Sequence, residues 1–112
     1  LLELITLEKF YKDYIINVDG NVDIRLENLY TIPVQFGEVR YSFWCNKNNL
    51  TSLKGCPEII GGGFYCNSNQ LTTLEYCPKV VKGSFLCFNN SKQFTEEEVR
   101  EVCKVGGEIF IL

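Results

Sequence analysis

Hydrophobic and polar positions along this chain recur with a period of 21 residues. Residues 43–53 read FWCNKNNLTSL, residues 64–74 read FYCNSNQLTTL, and a Cys-Pro pair follows each copy. The same register extends backward to Val22 and forward to Asn90. Self-similarity at a fixed spacing of about 20 to 50 residues is typical of repeat architectures, in which each unit buries its apolar face by stacking on its neighbours. The sequence therefore predicts a stack of two complete and two partial units.

Each unit combines a short strand with a turn into the interior. Phe64 and Cys66 alternate with Tyr65 and Asn67, which is the two-residue period of a β-strand with one buried face. Stacked units would align these strands in a parallel sheet. After the strand, each unit carries an asparagine where the chain must turn inward, and a buried amide there can pair with backbone groups of the neighbouring turn. The residues of this predicted asparagine ladder are Asn48, Asn69 and Asn90.

Read as Phe-x-Cys-x-x-Asn-x-Leu-x-x-Leu, the unit resembles the leucine-rich-repeat signature, with Phe and Cys at positions where Leu is usual. The expected fold class is therefore α/β, a short leucine-rich-repeat solenoid with a parallel β-sheet of about four rungs. We treat residues 1–112 as one domain. Its repeats occupy residues 22–94, between an N-terminal cap (1–21) and a C-terminal cap (95–112).

The N-terminal cap is predicted to contain a helix and a hairpin. Thr6 is a suitable N-cap for a helix over Leu7–Tyr14, which has an apolar side. Ile15–Val18, an Asp19-Gly20 turn and Val22–Ile24 then read as a β-hairpin that leads into the first rung.

The C-terminal cap is predicted to be a helix followed by a strand. Thr95 and Glu98 form a capping-box pattern, and the helix should run to about Lys104. Gly106-Gly107 would end this helix, and Ile109–Leu112 would return as a final strand. The predicted buried side chains of the helix are Val99, Val102 and Cys103.

Five of the six cysteines follow the repeat instead of a disulfide pattern. They occupy two repeat positions: Cys45, Cys66 and Cys87 in one, Cys56 and Cys77 in the other. Because a buried free cysteine packs like a small apolar residue, we expect reduced core thiols. No apolar run reaches the roughly 18 to 20 residues that cross a bilayer, and the first residues lack the features of a secretory signal. We therefore expect a cytoplasmic protein.

Composition argues against catalysis and against nucleic-acid binding. The absence of histidine removes the commonest general base and the commonest zinc ligand. The glycines at 61–63 lead into a strand and not into a helix, so they do not form a phosphate-binding turn. With 11 basic residues scattered among 14 acidic ones and a net charge of -3, the chain has no basic run. We expect no enzymatic activity, no cofactor and no metal site.

The outward positions of the predicted sheet form the candidate functional site. Trp44, Tyr65 and Leu86 occupy equivalent positions, and strands about 4.8 Å apart would align them in one apolar row, here called the outer stripe, with Phe88 at its flank. Exposed aromatic patches rimmed by polar groups are associated with protein recognition. The predicted polar surroundings are Asp23, Arg25, Asn46, Lys47 and Asn67. Two structural explanations compete with binding: the terminal helix or hairpin covers the stripe, or the stripe only stiffens the sheet by cross-strand packing.

The repeat also resembles a particular group of proteins. Residues 48–57 (NNLTSLKGCP) and 61–72 (GGGFYCNSNQLT) are similar to the leucine-rich-repeat-like proteins encoded by tailed bacteriophages, and the resemblance covers about residues 20–91. It implies a small accessory protein made in an infected bacterial cytoplasm that binds a host or phage protein. The short repeat array and the helix-plus-strand ending depart from the longer members.

The leading hypothesis is a non-enzymatic protein-binding module, a phage accessory or anti-defence protein that binds and modulates a host protein through the outer stripe. A second hypothesis is a self-assembling structural protein, because the end strands of a solenoid leave edges that can pair with another copy. A third is a platform for a nucleotide or nucleic acid, which would stack on Trp44 and Tyr65. The chain lacks the basic surroundings usual for the third.

Overall fold

The structure, a computed structural model, describes residues 14–112. The predicted N-terminal helix, apart from its last residue Tyr14, lies outside the described residues. The described part of the chain contains short strands and one helix, in this order: β1 (Ile15–Val18), β2 (Val22–Asp23), β3 (Gln35–Val39), β4 (Phe43–Trp44), β5 (Ile59–Ile60), β6 (Phe64–Tyr65), β7 (Val80–Val81), β8 (Phe85–Leu86), α1 (Glu96–Val102), β9 (Lys104–Val105) and β10 (Ile109–Phe110).

The chain winds into a β-solenoid of about five turns with two parallel sheets. The first sheet contains the odd-numbered strands in the order β1-β3-β5-β7-β9, and the second contains the even-numbered strands in the order β2-β4-β6-β8-β10. Each turn contributes one strand to each sheet. The sequence pattern predicts the second sheet and the stacking of units, whereas the first sheet is an additional finding.

The predicted hairpin between β1 and β2 is wrong. β1 pairs in parallel with β3, and β2 pairs in parallel with β4, so the two strands belong to different sheets. The turn at Asp19-Gly20 is a corner of the solenoid, and Tyr41 N donates to Gly20 O at 3.1 Å from the next turn. This arrangement lets Val18 and Val22 pack against the core between the sheets, where Val22 is buried.

Stacked side chains fill the space between the two sheets. Phe43, Phe64 and Phe85 are completely buried and come from successive strands of the second sheet. The ring centroids of Phe43 and Phe64 are 6.1 Å apart, and those of Phe64 and Phe85 are 5.1 Å apart with an edge-on geometry. Such aromatic pairs add about 0.5–1.5 kcal/mol each to the burial energy. The six cysteines are free and buried, in agreement with the prediction of core thiols.

The asparagine ladder is confirmed. Asn69 Oδ1 accepts a hydrogen bond from Leu50 N at 3.0 Å, and Asn69 Nδ2 donates to Cys45 O at 3.0 Å and to Cys66 O at 3.2 Å. Asn48 and Asn90 make the equivalent contacts in the turns before and after. Each amide therefore joins two consecutive turns and satisfies backbone groups that face away from the sheets.

The corners of the solenoid pack backbone against backbone. An added Cβ at Gly61 would overlap the carbonyl oxygen of Arg40 in the preceding turn, so only glycine fits there. Gly62 N donates to Tyr41 O at 2.8 Å, and Gly83 N donates to Gly62 O at 2.9 Å. The glycine-rich corner thus lets successive turns stack at the spacing of hydrogen-bonded strands.

The C-terminal cap agrees with the sequence at its start and differs at its end. Glu98 N donates to Thr95 Oγ1 at 3.1 Å and Thr95 N donates to Glu98 Oε1 at 3.1 Å, which confirms the capping box. The helix ends at Val102 and not at Lys104, because Lys104 already belongs to β9.

The end of α1 also corrects the predicted burial and the predicted role of two glycines. Val99 and Cys103 are buried as predicted, but Val102 is 43% exposed. Gly106-Gly107 does not end the helix and instead forms the corner between β9 and β10, where Gly107 N donates to Gly83 O at 2.9 Å. The predicted final strand is present as β10.

The last turn explains why the structure has more strands per sheet than the predicted four rungs. Ile109 pairs with Phe85, which precedes it by 24 positions (109 minus 85), and α1 lies within this longer turn. The 21-residue period therefore does not extend to the fifth strand of the second sheet.

Candidate functional site

The register of the second sheet places the residues of the outer stripe side by side on neighbouring strands. Trp44 pairs with Tyr65, and Tyr65 pairs with Leu86, so the three side chains follow one another across neighbouring strands. All three are half-buried, while the residues beside them in each strand point into the core. Asp23 precedes the stripe and Phe110 continues it after Leu86.

Phe110 is a residue that sequence reasoning missed. It is 41% exposed and lies next to Leu86 in the last strand of the sheet. The sequence predicts a strand here but gives no register for it, because the intervening turn departs from the 21-residue period. The signal in the sequence is the apolar run at Ile109–Leu112 after Gly106-Gly107, which indicates a strand but not its register.

The rings of the stripe stack along the solenoid axis. The centroids of Trp44 and Tyr65 are 5.4 Å apart with an interplanar angle of 28°. On the opposite side of Trp44, the Arg25 guanidinium carbon lies 5.7 Å from the ring centroid, a cation–π contact worth about 0.5–1 kcal/mol at an exposed site. Arg25 also pairs with Asp23, with Nε 3.1 Å from Oδ2. Both faces of the indole therefore contact other side chains, and its edge is the part available to a partner.

Gly63 positions the tyrosine ring. A Cβ added at Gly63 would lie 2.8 Å from Tyr65 Cε2 and 3.0 Å from Tyr65 Oη, which is closer than real Cβ contacts. The ring therefore lies back along its own strand over this glycine. The sequence assigns Gly63 only to the bend before the strand. The structure shows that the absence of a side chain at Gly63 also leaves the space that the Tyr65 ring occupies.

The structure contradicts the predicted outward position of Asn46 and Asn67. They are only 7% and 6% exposed. The alternation of inward and outward residues fails here because β4 and β6 end at Trp44 and Tyr65, before these positions. Their backbone carbonyls lie near the ladder amides, with Asn46 O 3.4 Å from Asn48 Nδ2.

These two asparagines carry unpaired polar atoms. Oδ1 of Asn46 and Oδ1 of Asn67 have no hydrogen-bond partner among the residues that the structure describes. An unpaired buried acceptor costs about 1–3 kcal/mol. Two such oxygens lie in consecutive turns beside the outer stripe. They destabilise the fold locally, and because they are buried they do not form a polar rim around the stripe.

The other residues predicted to surround the outer stripe differ in their exposure. Lys47 is exposed and adopts a left-handed backbone with φ 57°, and its N–H donates to Asn67 O at 3.2 Å. Asp23 and Arg25 are exposed at the start of the stripe and pair with each other. Phe88 is half-buried, in the turn that follows β8.

The C-terminal helix does not account for the stripe by covering it. α1 packs against β10, and its residues Glu98, Glu101 and Val102 line a groove together with Thr72–Glu75. That groove lies beyond the asparagine ladder, at the segment that follows Leu71. The competing explanation in which the stripe stiffens the sheet retains support, because Trp44 and Tyr65 do stack across strands.

Burial suppresses the ionisation of five of the six cysteines. Burial raises the pKa of Cys77 to about 12 and the pKa values of Cys87 and Cys103 to about 11. Burial also raises the pKa values of Cys56 and Cys66 well above the ordinary value. These thiols are therefore neutral at physiological pH, whereas nucleophilic cysteines are thiolates.

The described residues define the protein as a short β-solenoid with two parallel sheets. In residues 14–112, no group of three or more His, Cys, Asp or Glu side chains is arranged to hold a metal ion. Within the same range, no helix combines the length and the apolar character needed to cross a membrane. Compared with protein-family models, curated proteins and solved structures, the chain shows no significant match.

Proposed function

We propose that the protein is a non-enzymatic binding module whose second sheet engages another protein through the outer stripe. The observation that carries this proposal is the continuous row formed by Trp44, Tyr65, Leu86 and the exposed Phe110. Tryptophan and tyrosine are typical anchors of protein interfaces, and contiguous apolar patches on a small protein mark interaction sites.

The ring contacts favour a protein partner over a stacked nucleobase. A base needs a free aromatic face, but Trp44 lies between Arg25 and Tyr65. A protein surface, in contrast, contacts ring edges and the polar groups of Trp and Tyr side chains. The net charge of -3 also disfavours a polyanionic partner.

The phage setting and the leucine-rich-repeat class belong to the same proposal. The asparagine ladder and the buried leucines of each turn support a leucine-rich-repeat-like solenoid, although here two sheets alternate along the chain. The resemblance to phage-encoded repeat proteins supports an accessory or anti-defence protein that acts in the bacterial cytoplasm and inhibits or modulates a host protein.

The test is an affinity capture from bacterial lysate with paired variants. Trp44→Ala combined with Tyr65→Ala removes the stacked pair, whereas Tyr30→Ala removes a tyrosine that is exposed elsewhere on the surface. We expect a host protein to be captured by the wild type and by the Tyr30 variant and lost by at least tenfold with the double variant. Circular dichroism establishes that the variants remain folded. Equal capture by all three proteins would exclude the outer stripe as the binding face.

A further inference from the structure

The outward face of the first sheet carries charges in an ordered series. Glu38 pairs in register with Ile59, Ile59 with Val80, and Val80 with Lys104, so one column runs from acidic through apolar to basic along the solenoid. The next residue of each of these strands is buried, which places the column on the outer side.

A second column repeats the order. Glu58 directly precedes β5 and Lys79 directly precedes β7, and both residues are exposed. In residues 14–112, neither they nor Glu38 and Lys104 form an intramolecular ion pair; the observed pairs involve other charges. Glu38 and Lys104 therefore lie at the two ends of the outward column, around a half-buried apolar centre of Ile59 and Val80, and the exposed Glu58 and Lys79 lie beside this centre at the start of their strands.

We propose that this face binds a second copy of the chain. The two copies would be related by a two-fold axis that runs parallel to the strands, between β5 and β7. In the partner, the turns then follow in the opposite order, while each column of the first sheet faces the same column of the partner. This axis places Ile59 against the partner's Val80, Glu38 against the partner's Lys104, and Glu58 against the partner's Lys79. Every one of these pairs occurs twice, as isologous contacts require.

The alternative face-to-face symmetry is disfavoured by the same charges. A two-fold axis along the solenoid would place each turn opposite its own copy, so Glu38 would face Glu38 and Lys104 would face Lys104. Like charges brought together at an interface are unfavourable. The order of charges thus selects the antiparallel arrangement of the two solenoids.

The dimer is expected to be weak and salt-sensitive. With the axis between β5 and β7, four strands of each copy (β3, β5, β7 and β9) overlap. At a spacing of about 4.8 Å they span about 14 Å, and a face of this width buries less than the roughly 800 Å² per partner of a standard interface. We expect a dissociation constant between about 10 μM and 1 mM, because small interfaces belong to the transient class. Raising the salt from about 20 mM to about 500 mM should weaken it, since the charge pairs are solvent-exposed.

Charge exchange provides the test, with sedimentation equilibrium as the measurement. Lys79→Glu with Lys104→Glu, or Glu38→Lys with Glu58→Lys, should each weaken self-association by about tenfold or more. Mixing these two variants should restore association as a heterodimer, because all four types of contact again join opposite charges. Lys47→Glu with Lys54→Glu is the matched control for the lysine variant, since it makes the same change in net charge at exposed sites outside this face.

The outcomes separate the proposal from its alternatives. Restored association in the mixture, together with an unaffected control, supports the antiparallel dimer. A wild-type chain that remains monomeric at about millimolar concentration and low salt overturns the proposal, and so does a mixture that fails to associate although both variants remain folded. Because the outer stripe lies on the other sheet, neither result bears on the proposed partner binding.

Discussion

Two buried asparagines in the same turn allow a matched test of what the ladder contributes. Asn69 and Asn67 are 8% and 6% exposed and lie two positions apart. Asn69 is fully engaged with the backbone, whereas Asn67 Oδ1 has no partner in the described part of the chain. The same substitution, Asn→Leu, keeps the approximate shape of the side chain and removes its polar atoms at both sites.

The two substitutions should change stability in opposite directions. In Asn69→Leu, the buried Leu50 N–H loses its acceptor, at a cost of about 1–3 kcal/mol. The carbonyls of Cys45 and Cys66 each lose one hydrogen bond, at about 0.5–1.5 kcal/mol each, but keep a bond from Asn48 and Asn90 respectively. The sum is a loss of about 2–6 kcal/mol.

In Asn67→Leu, no such partner is lost. The substitution instead removes an oxygen that is buried without a donor, so we expect a gain of about 1 kcal/mol in the free energy of unfolding. A chain of this length has a total stability of about 6–17 kcal/mol, which equals or exceeds the largest loss expected for Asn69→Leu.

Urea unfolding followed by circular dichroism measures both effects. With a slope of about 2 kcal/mol per molar urea, Asn69→Leu should lower the midpoint by about 1–3 M, and Asn67→Leu should raise it slightly. Equal destabilisation by the two substitutions would refute the distinction between a paired and an unpaired amide. An Asn69→Leu protein within about 0.5 kcal/mol of the wild type would refute the ladder as a source of stability.

Two further predictions concern Gly63 and the core thiols. Gly63→Ala should displace the Tyr65 ring, since the new methyl group would lie 2.8 Å from Cε2 of that ring. The fluorescence of the single tryptophan reports the loss of stacking between Trp44 and Tyr65. An unchanged emission spectrum would contradict this geometry. Burial raises the pKa of Cys87 from 9.0 to about 11, so the unfolded chain releases this proton at lower pH than the folded chain. The contribution of this thiol to stability should therefore be constant below about pH 9 and be lost as the pH rises from there toward 11. Unfolding curves across this range test it, with Cys87→Ala as the control that should show a smaller alkaline loss.

The sequence predicts the second sheet better than the first for a physical reason. Strands such as Phe64–Tyr65 are followed by an asparagine and leucines at fixed offsets, so the whole unit produces a detectable period. Ile59–Ile60 and Val80–Val81 contribute two residues each, and only one of each pair points inward. Two positions are too short a run for alternation to indicate a strand.

The wrongly predicted N-terminal hairpin shows a second reason why local sequence patterns do not determine strand pairing. An Asp-Gly pair between two short apolar segments is typical of a two-residue hairpin turn. The same pair also fits a corner between two sheets, and the difference depends on β3 and β4, which lie about a full turn later in the chain. Long-range pairing therefore overrides the local preference for a hairpin.

The sequence predicts which residues of the candidate site line up, but it does not predict which of its residues are buried. The 21-residue spacing alone brings Trp44, Tyr65 and Leu86 together. The burial of Asn46 and Asn67 depends on where each strand ends, and a strand of only two residues ends before these positions. The register of Phe110 depends on the length of a single irregular turn.

The ladder has a consequence for the length of the molecule. Each ladder asparagine satisfies groups in its own turn and in the turn before it, with the same contacts at Asn48, Asn69 and Asn90. One more 21-residue unit inserted between these turns would therefore bring its own amide, corner glycines and core phenylalanine. The solenoid can be lengthened in steps of about 4.8 Å without leaving a ladder amide unpaired. Each added turn would lengthen the outer stripe by one residue.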